Sequence, residues 1–160
     1  MATITSLLLP AHGNSQRGRN PYMIQKTIDL TAQAISCTAG DIVQCLTIPA
    51  NTKIMSAGVE VVASATMNTG TDATVILGTG ADNNEYVAAF DIDGAADGAY
   101  APSATVADDV VLSSADTLDL TFAGAGATFS AGKLRVYAVL MDVSDQGDSS
   151  PDEVDRDTLA

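Results

Sequence analysis

Apolar and polar residues alternate along "KLRVYAVLMDV", which puts Leu134, Val136, Ala138 and Leu140 on one side and Lys133, Arg135 and Tyr137 on the other. "TLDLTF" does the same, with Leu118, Leu120 and Phe122 opposed to Thr117, Asp119 and Thr121. Side chains that change face at every residue describe a β-strand, and one apolar face describes a sheet with one side against a core. Runs rich in β-branched residues recur between clusters of Gly, Asn, Asp and Pro. The pattern predicts strands at about 23–32, 41–48, 53–66, 73–77, 85–91, 109–113, 117–122 and 133–143. The best helical candidate, 29–39, is rich in Thr and Ser and reads better as strand plus turn. The expected fold class is all-β: an antiparallel β-sandwich, jelly-roll-like, with the strand order left open.

The last predicted strand departs from strict alternation. Val139 and Met141 make its outer side partly apolar, a surface for an arm or another subunit to cover. The ends of the chain differ from its middle. Residues 1–28 carry Arg17, Arg19 and Lys26 and no acid, and "HGNSQRGRNP" has no periodicity, so 1–21 reads as an extended arm. From Asp142 onward seven acids face the single Arg156, and 144–160 reads as an acidic flexible tail. The sandwich is expected over 22–143. A basic arm on an acidic body suits reaching a neighbouring subunit; a ragged terminus is the plainer reading, and both stay open.

A chain of 160 residues fits one domain that buries roughly 70% of its unfolded surface, so it needs no metal or disulfide staple. Its apolar residues are largely Ala and Val, with no Trp and only three Phe, which suits thin β layers. The net charge of −13 repels phosphate backbones and anionic lipid, so neither nucleic acid nor a membrane is an expected partner. It also means that copies crowd together only where charge is screened, spaced apart or matched by cations. Cys37 and Cys45 read as free, half-buried thiols more readily than as a disulfide. "MATITSLLLPAHG" lacks a basic region before its apolar run, and no segment is long and apolar enough to span a bilayer. The expectation is a soluble protein made in the cytoplasm.

Candidate chemistry is sparse, and the chain reads as non-enzymatic. The only histidine, His12, falls in the arm, without the rigid surroundings that a general base needs. There is no "GxSxG" elbow and no CxxC pair, and "GTGADNN" lacks the third glycine or the Lys–Ser/Thr of a nucleotide loop. Carboxylate pairs such as Asp108 and Asp109 are plentiful, but the aromatic platforms of a glycosidase are scarce. No cofactor is expected.

"DIDGAADGAY" carries the strongest metal-like signal. A calcium loop starting at Asp91 places Asp91 and Asp93 correctly, then offers Ala95, Ala96 and Pro102 where a third ligand, a glycine and a bidentate Glu belong. This excludes an EF-hand. A looser site from Asp91, Asp93 and Asp97 is a weak candidate beside the plainer alternative, a solvated acidic turn after a strand.

The order of features carries a resemblance. The chain runs from a strand ending in "TIDL" through a "GD" turn to "LTIPANTKI", "GVEVV" and "VILGTG", and ends its domain with "RVYAVLMDV". Over about residues 22–143 this resembles small structural proteins in the virions of tailed bacteriophages, especially those of marine and cyanobacterial hosts: capsid decoration, cement or head-fibre proteins. The resemblance implies a β-sandwich that binds the outside of a shell of major capsid protein, often as a trimer. It places the protein on the phage head surface, assembled in the host cytoplasm, and supplies no catalytic residues. From the residues themselves, Arg17, Arg19, Tyr22 and Lys26 make the preferred docking segment. Met23, Ile24, Val139 and Met141 are candidates for its apolar part, with ordinary packing inside the chain as the alternative. A tail- or fibre-associated receptor-binding protein is the second reading, and a calcium-dependent surface module the third.

Overall fold

The structure is a computed structural model that describes residues 21–32, 35–37, 40–70, 72–101, 111–125 and 128–143. Among these residues there are eight strands: β1 (Tyr22–Asp29), β2 (Ile42–Ile48), β3 (Thr52–Met67), β4 (Thr74–Gly78), β5 (Val87–Asp91), β6 (Val111–Leu112), β7 (Asp116–Ala123) and β8 (Phe129–Asp142). They form two four-stranded sheets, A in the order β1-β8-β3-β6 and B in the order β2-β7-β4-β5. Every strand pairing is antiparallel. Only β4 and β5 are neighbours in both sequence and sheet; every other connection crosses to the opposite sheet. The chain is thus the expected antiparallel β-sandwich, and no helix occurs among the described residues.

The alternating runs deliver the core. Leu134, Val136, Ala138 and Leu140 of β8 are wholly buried against Leu118, Leu120 and Phe122 of β7, with Val59 and Val61 of β3 beside them. Phe122 and Phe129 meet edge to face, ring centres 5.9 Å apart, and with Tyr86 they supply the fully aromatic part of a core that is otherwise mostly aliphatic. Cys37 and Cys45 are free, and both are buried rather than half-buried. Burial pushes both thiols up, Cys45 to about 11.

Three strand ends differ from the sequence pattern, each for a local reason. β1 stops at Asp29, because its carboxylate accepts hydrogen bonds from the Thr31 N–H (3.0 Å) and hydroxyl (2.7 Å) and turns the chain. β5 begins at Val87: Glu85 and Tyr86 are buried in a bend, where Tyr86 N–H donates to the Leu77 carbonyl at 2.9 Å. β8 begins at Phe129, four residues earlier than the pattern suggests, because Gly132 is part of the strand. Its φ of 134° suits only glycine, and a Cβ there would lie 2.8 Å from the Ala65 Cα on β3. The β2–β3 turn ends on Asn51 at φ 55°, a conformation Asn tolerates, and its backbone ties β6 to the end of β8 through bonds with Leu112 and Val143. The expected arm, apart from Pro21, and the expected tail lie outside the described residues.

Candidate docking face

Directly opposed residues of an antiparallel pair project to the same face. In the β1–β8 register Met23 stands opposite Val139, Gln25 opposite Tyr137, Thr27 opposite Arg135 and Asp29 opposite Lys133. The alternate row of β8 is wholly buried, so this row is the outer face of sheet A. On the other flank, β3 sets Lys53 against Met141, Ser56 against Val139, Gly58 against Tyr137 and Glu60 against Arg135. A bulge between Ile54 and Ser56 inserts Met55, which is 43% exposed beside Val139. Val111 of β6 continues the row beyond Lys53 and is exposed as well.

The tyrosine in the middle of this face lies flat for a visible reason. Tyr137 passes over Gly58, its hydroxyl 2.5 Å from where a Cβ would be built, so a larger residue at 58 would displace the ring. Tyr100 packs against it edge-on, ring centres 6.2 Å apart, and is itself 59% exposed. Beside the tyrosines, Arg135 donates to Glu60 at 2.9 Å, and Lys133 pairs with Asp29 at 3.3 Å. The face is therefore an apolar band of Met23, Val139, Met55, Met141 and the two tyrosines, bordered by paired charges.

The acidic loop is what brings Tyr100 there. Asp91 accepts from the Asp93 N–H at 3.0 Å and starts the turn, and Gly94 and Gly98 take positive φ. Asp97 then clamps onto β3 by accepting from the Ser64 N–H (2.6 Å) and hydroxyl (2.7 Å). The Gly98 N–H donates to the Val61 carbonyl, the Val61 N–H to the Ala99 carbonyl and the Ala101 N–H to the Val59 carbonyl, which holds these residues along the edge of β3 beyond β6. Among the described residues no three His, Cys, Asp or Glu side chains stand close enough together to hold a metal ion.

This geometry has a testable sign. The two Ser64 hydrogen bonds hold the Asp97 carboxyl below its ordinary value of 3.8. A lowered folded-state value contributes stability above the unfolded-state value that is lost as pH falls through the folded one. Asp97→Asn is expected to lower the melting temperature slightly at pH 7 and to converge with the parent as pH falls below the ordinary carboxyl value of 3.8. Calcium or a chelator is expected to shift neither protein by more than a few degrees. A large drop on chelation that only calcium reverses would make the loop a metal site.

The docking residues read from the sequence separate in space. Arg17 and Arg19 lie outside the described residues. Met23, Val139 and Met141 come together on the outer face. Tyr22, Ile24 and Lys26 project from the other side of β1: Ile24 packs on the core, and Lys26 lines a groove of about 430 Å³ between β1 and β2, with Ile28, Ile42 and Val43. Sequence reasoning missed Met55, Tyr100 and Val111. Met55 is hidden by the bulge, and Tyr100 by a loop whose spacing draws attention to its acids.

Charge separates the two sheets. All four cations among the described residues, Lys26, Lys53, Lys133 and Arg135, stand on sheet A, and the strands of sheet B carry none. The outward side of β7 instead presents Asp119 and Thr121, whose Oδ1 and Oγ1 atoms are buried without a protein partner. Glu85, beneath the β4–β5 turn, is held by the Thr79 and Tyr86 hydroxyls, and burial raises its carboxyl above the ordinary value.

No protein-family model matches the chain, and no curated protein matches it in sequence. Solved structures do match. A chain of the cyanophage Pam1 capsid asymmetric unit aligns over 88% of this chain and 97% of its own length, at 19% identity and a TM-score of 0.60. A chain of the Ralstonia phage GP4 capsid aligns over 84% and 89%, at 17% identity and 0.58. One from the acidic stable capsid of Helicobacter pylori bacteriophage KHP30 aligns over 76% and 86%, at 12% identity and 0.51. What this chain has in common with all three is its fold.

Proposed function

We propose that this chain is a non-enzymatic structural protein of a tailed-bacteriophage virion, which binds the outer capsid surface and stabilises or decorates the head. The observation that carries the reading is the fold it has in common with chains built into phage capsids, spanning nearly the full length of the cyanophage chain. The order β1-β8-β3-β6 over β2-β7-β4-β5 reads as a jelly roll, whose open edges and broad sheet faces suit assembly with neighbours.

In this reading the partners are the phage major capsid protein and further copies of the chain, as a trimer, with neither nucleic acid nor membrane engaged. No cofactor is involved. The arm, 1–21, brings Arg17 and Arg19 to the shell together with Tyr22 and Lys26 of β1. The sandwich spans 22–143 and the acidic tail 144–160. Assembly takes place in the host cytoplasm and leaves the protein on the head surface.

The deciding experiment is its location on isolated particles by electron microscopy, with binding of the purified protein to empty, expanded shells and to tails. Density on the head and binding to shells are expected. Location at the portal, tail or fibres would replace this reading with a tail-associated one.

A further inference from the structure

We infer that the outer face of sheet A is buried against a neighbouring copy of this chain. The inference rests on the reading of the protein as an assembling virion component, and goes beyond it by naming the surface and its occupant.

Exposure provides the first argument. Of the six large apolar residues that are exposed among the described residues, Met23, Met55, Tyr100 and Val111 lie on this one face, whereas Tyr22 projects from the other side of β1 and Ile42 stands on sheet B. With Tyr137, Val139 and Met141 they form a band that spans four strands, with Lys53 between Met141 and Val111. Aromatic residues, Met and Arg are what interface centres concentrate, and a contiguous apolar patch of this kind marks an interaction site.

Charge identifies the occupant. Two copies of a chain of net charge −13 repel one another over most of their surface. Sheet A is where that repulsion vanishes: Lys53, Lys133 and Arg135 stand on its outer face against Asp29 and Glu60. The Arg135–Glu60 and Lys133–Asp29 pairs balance most of the charge on it, whereas the strands of sheet B carry acids and no cation. An apolar face with three cations against two acids is one that a second acidic copy can approach without that repulsion.

The size is sufficient. The two central strands run 14 and 16 residues. At about 3.3 Å per residue and about 4.8 Å between strands, sheet A offers on the order of 600 Å² of flat area per copy. Two such faces clear the roughly 1,000 Å² total of a specific interface.

The test is the mass of the full chain in solution, by sedimentation equilibrium or light scattering, at low and high salt. A multiple of the 16.3 kDa monomer is expected, persisting at high salt because the contact is apolar and screening relieves the remaining repulsion. Met55→Glu is expected to weaken association at least tenfold, with an unchanged circular dichroism spectrum, and Ile42→Glu on sheet B to leave it intact. Peroxide oxidation of the parent protein needs no variant: Met23 and Met55 are expected to be protected in the associated state and to oxidise rapidly on dilution to monomer. A monomer at all concentrations, or unprotected Met23 and Met55 in the oligomer, would overturn the inference. Protection that arises only on particles would assign the face to the capsid protein and overturn it too. A monomer that still binds heads leaves the decoration reading standing; an oligomer absent from heads does the reverse.

Discussion

Phe122→Ala is expected to lower the stability of the folded chain by about 3–5 kcal/mol, a large part of the 5–15 kcal/mol typical of a whole domain. Phe122 is wholly buried on β7, one of the two central strands of sheet B, with its ring edge-on to Phe129. The core it belongs to is made largely of side chains held in the strands of both sheets, so they cannot close over the space a deleted ring leaves. The cost combines lost transfer free energy with the remaining cavity. Phe122→Leu keeps most of the volume and is expected to cost about 1–2 kcal/mol. Urea unfolding, with unchanged slope and a shifted midpoint, measures both. A loss within about 1 kcal/mol for the alanine variant would mean the sheets are not packed around this ring.

Gly132→Ala is expected to cost about 2–4 kcal/mol, although it adds a single methyl group. The residue sits at φ 134°, and the new Cβ would lie 2.8 Å from the Ala65 Cα and 2.9 Å from the Leu30 Cδ1. The Ala65 contact is with backbone in the paired strand, which cannot yield without distorting β3. Gly94→Ala separates the two causes. Gly94 also has positive φ, at 72°, but a Cβ there meets nothing within 4 Å. Strain alone is expected to cost about 1–2 kcal/mol, measured in the same urea titration. Equal losses at both positions would show that the close approach of β8 to β3 is not a constraint.

Gly132 also shows how a sequence pattern can mislead. A glycine before an alternating run reads as a boundary, because glycine punctuates strands more often than it serves them. Here the strand continues through it, since the bulged pairing of two long neighbouring strands leaves no room for a side chain. The early end of β1 has the opposite cause: the apparent strand through Ala32 is cut by Asp29, whose carboxylate bonds its own chain two residues on. Both effects depend on atoms at specific positions that a period-two pattern does not register.

The candidate site was legible in the same uneven way. Val139 and Met141 stood out because they broke an otherwise clean alternation, and both lie on the docking face. Ile24 and Lys26 were grouped with them by proximity in sequence, but on a strand adjacent residues face opposite ways, which sends this pair to the other side of β1. Asp91, Asp93 and Asp97 drew attention as carboxylates. In the fold Asp91 and Asp97 accept hydrogen bonds that shape the loop and fasten it to β3, and the result is the position of Tyr100.

The sequence by itself determined that this is an all-β chain, that Leu118, Leu120, Phe122, Leu134, Val136 and Leu140 form its core, and that its surface is strongly acidic. Those properties follow from alternation and from counting charges, which are local or additive along the chain. Tertiary structure alone decided the strand order, the insertion of Met55 by a bulge, and the meeting of Tyr100 with Tyr137 over Gly58. It also decided that the four described cations share one sheet. Each of these joins residues far apart in sequence through pairing register and crossover, and no periodicity within a single strand specifies which strand will lie beside it.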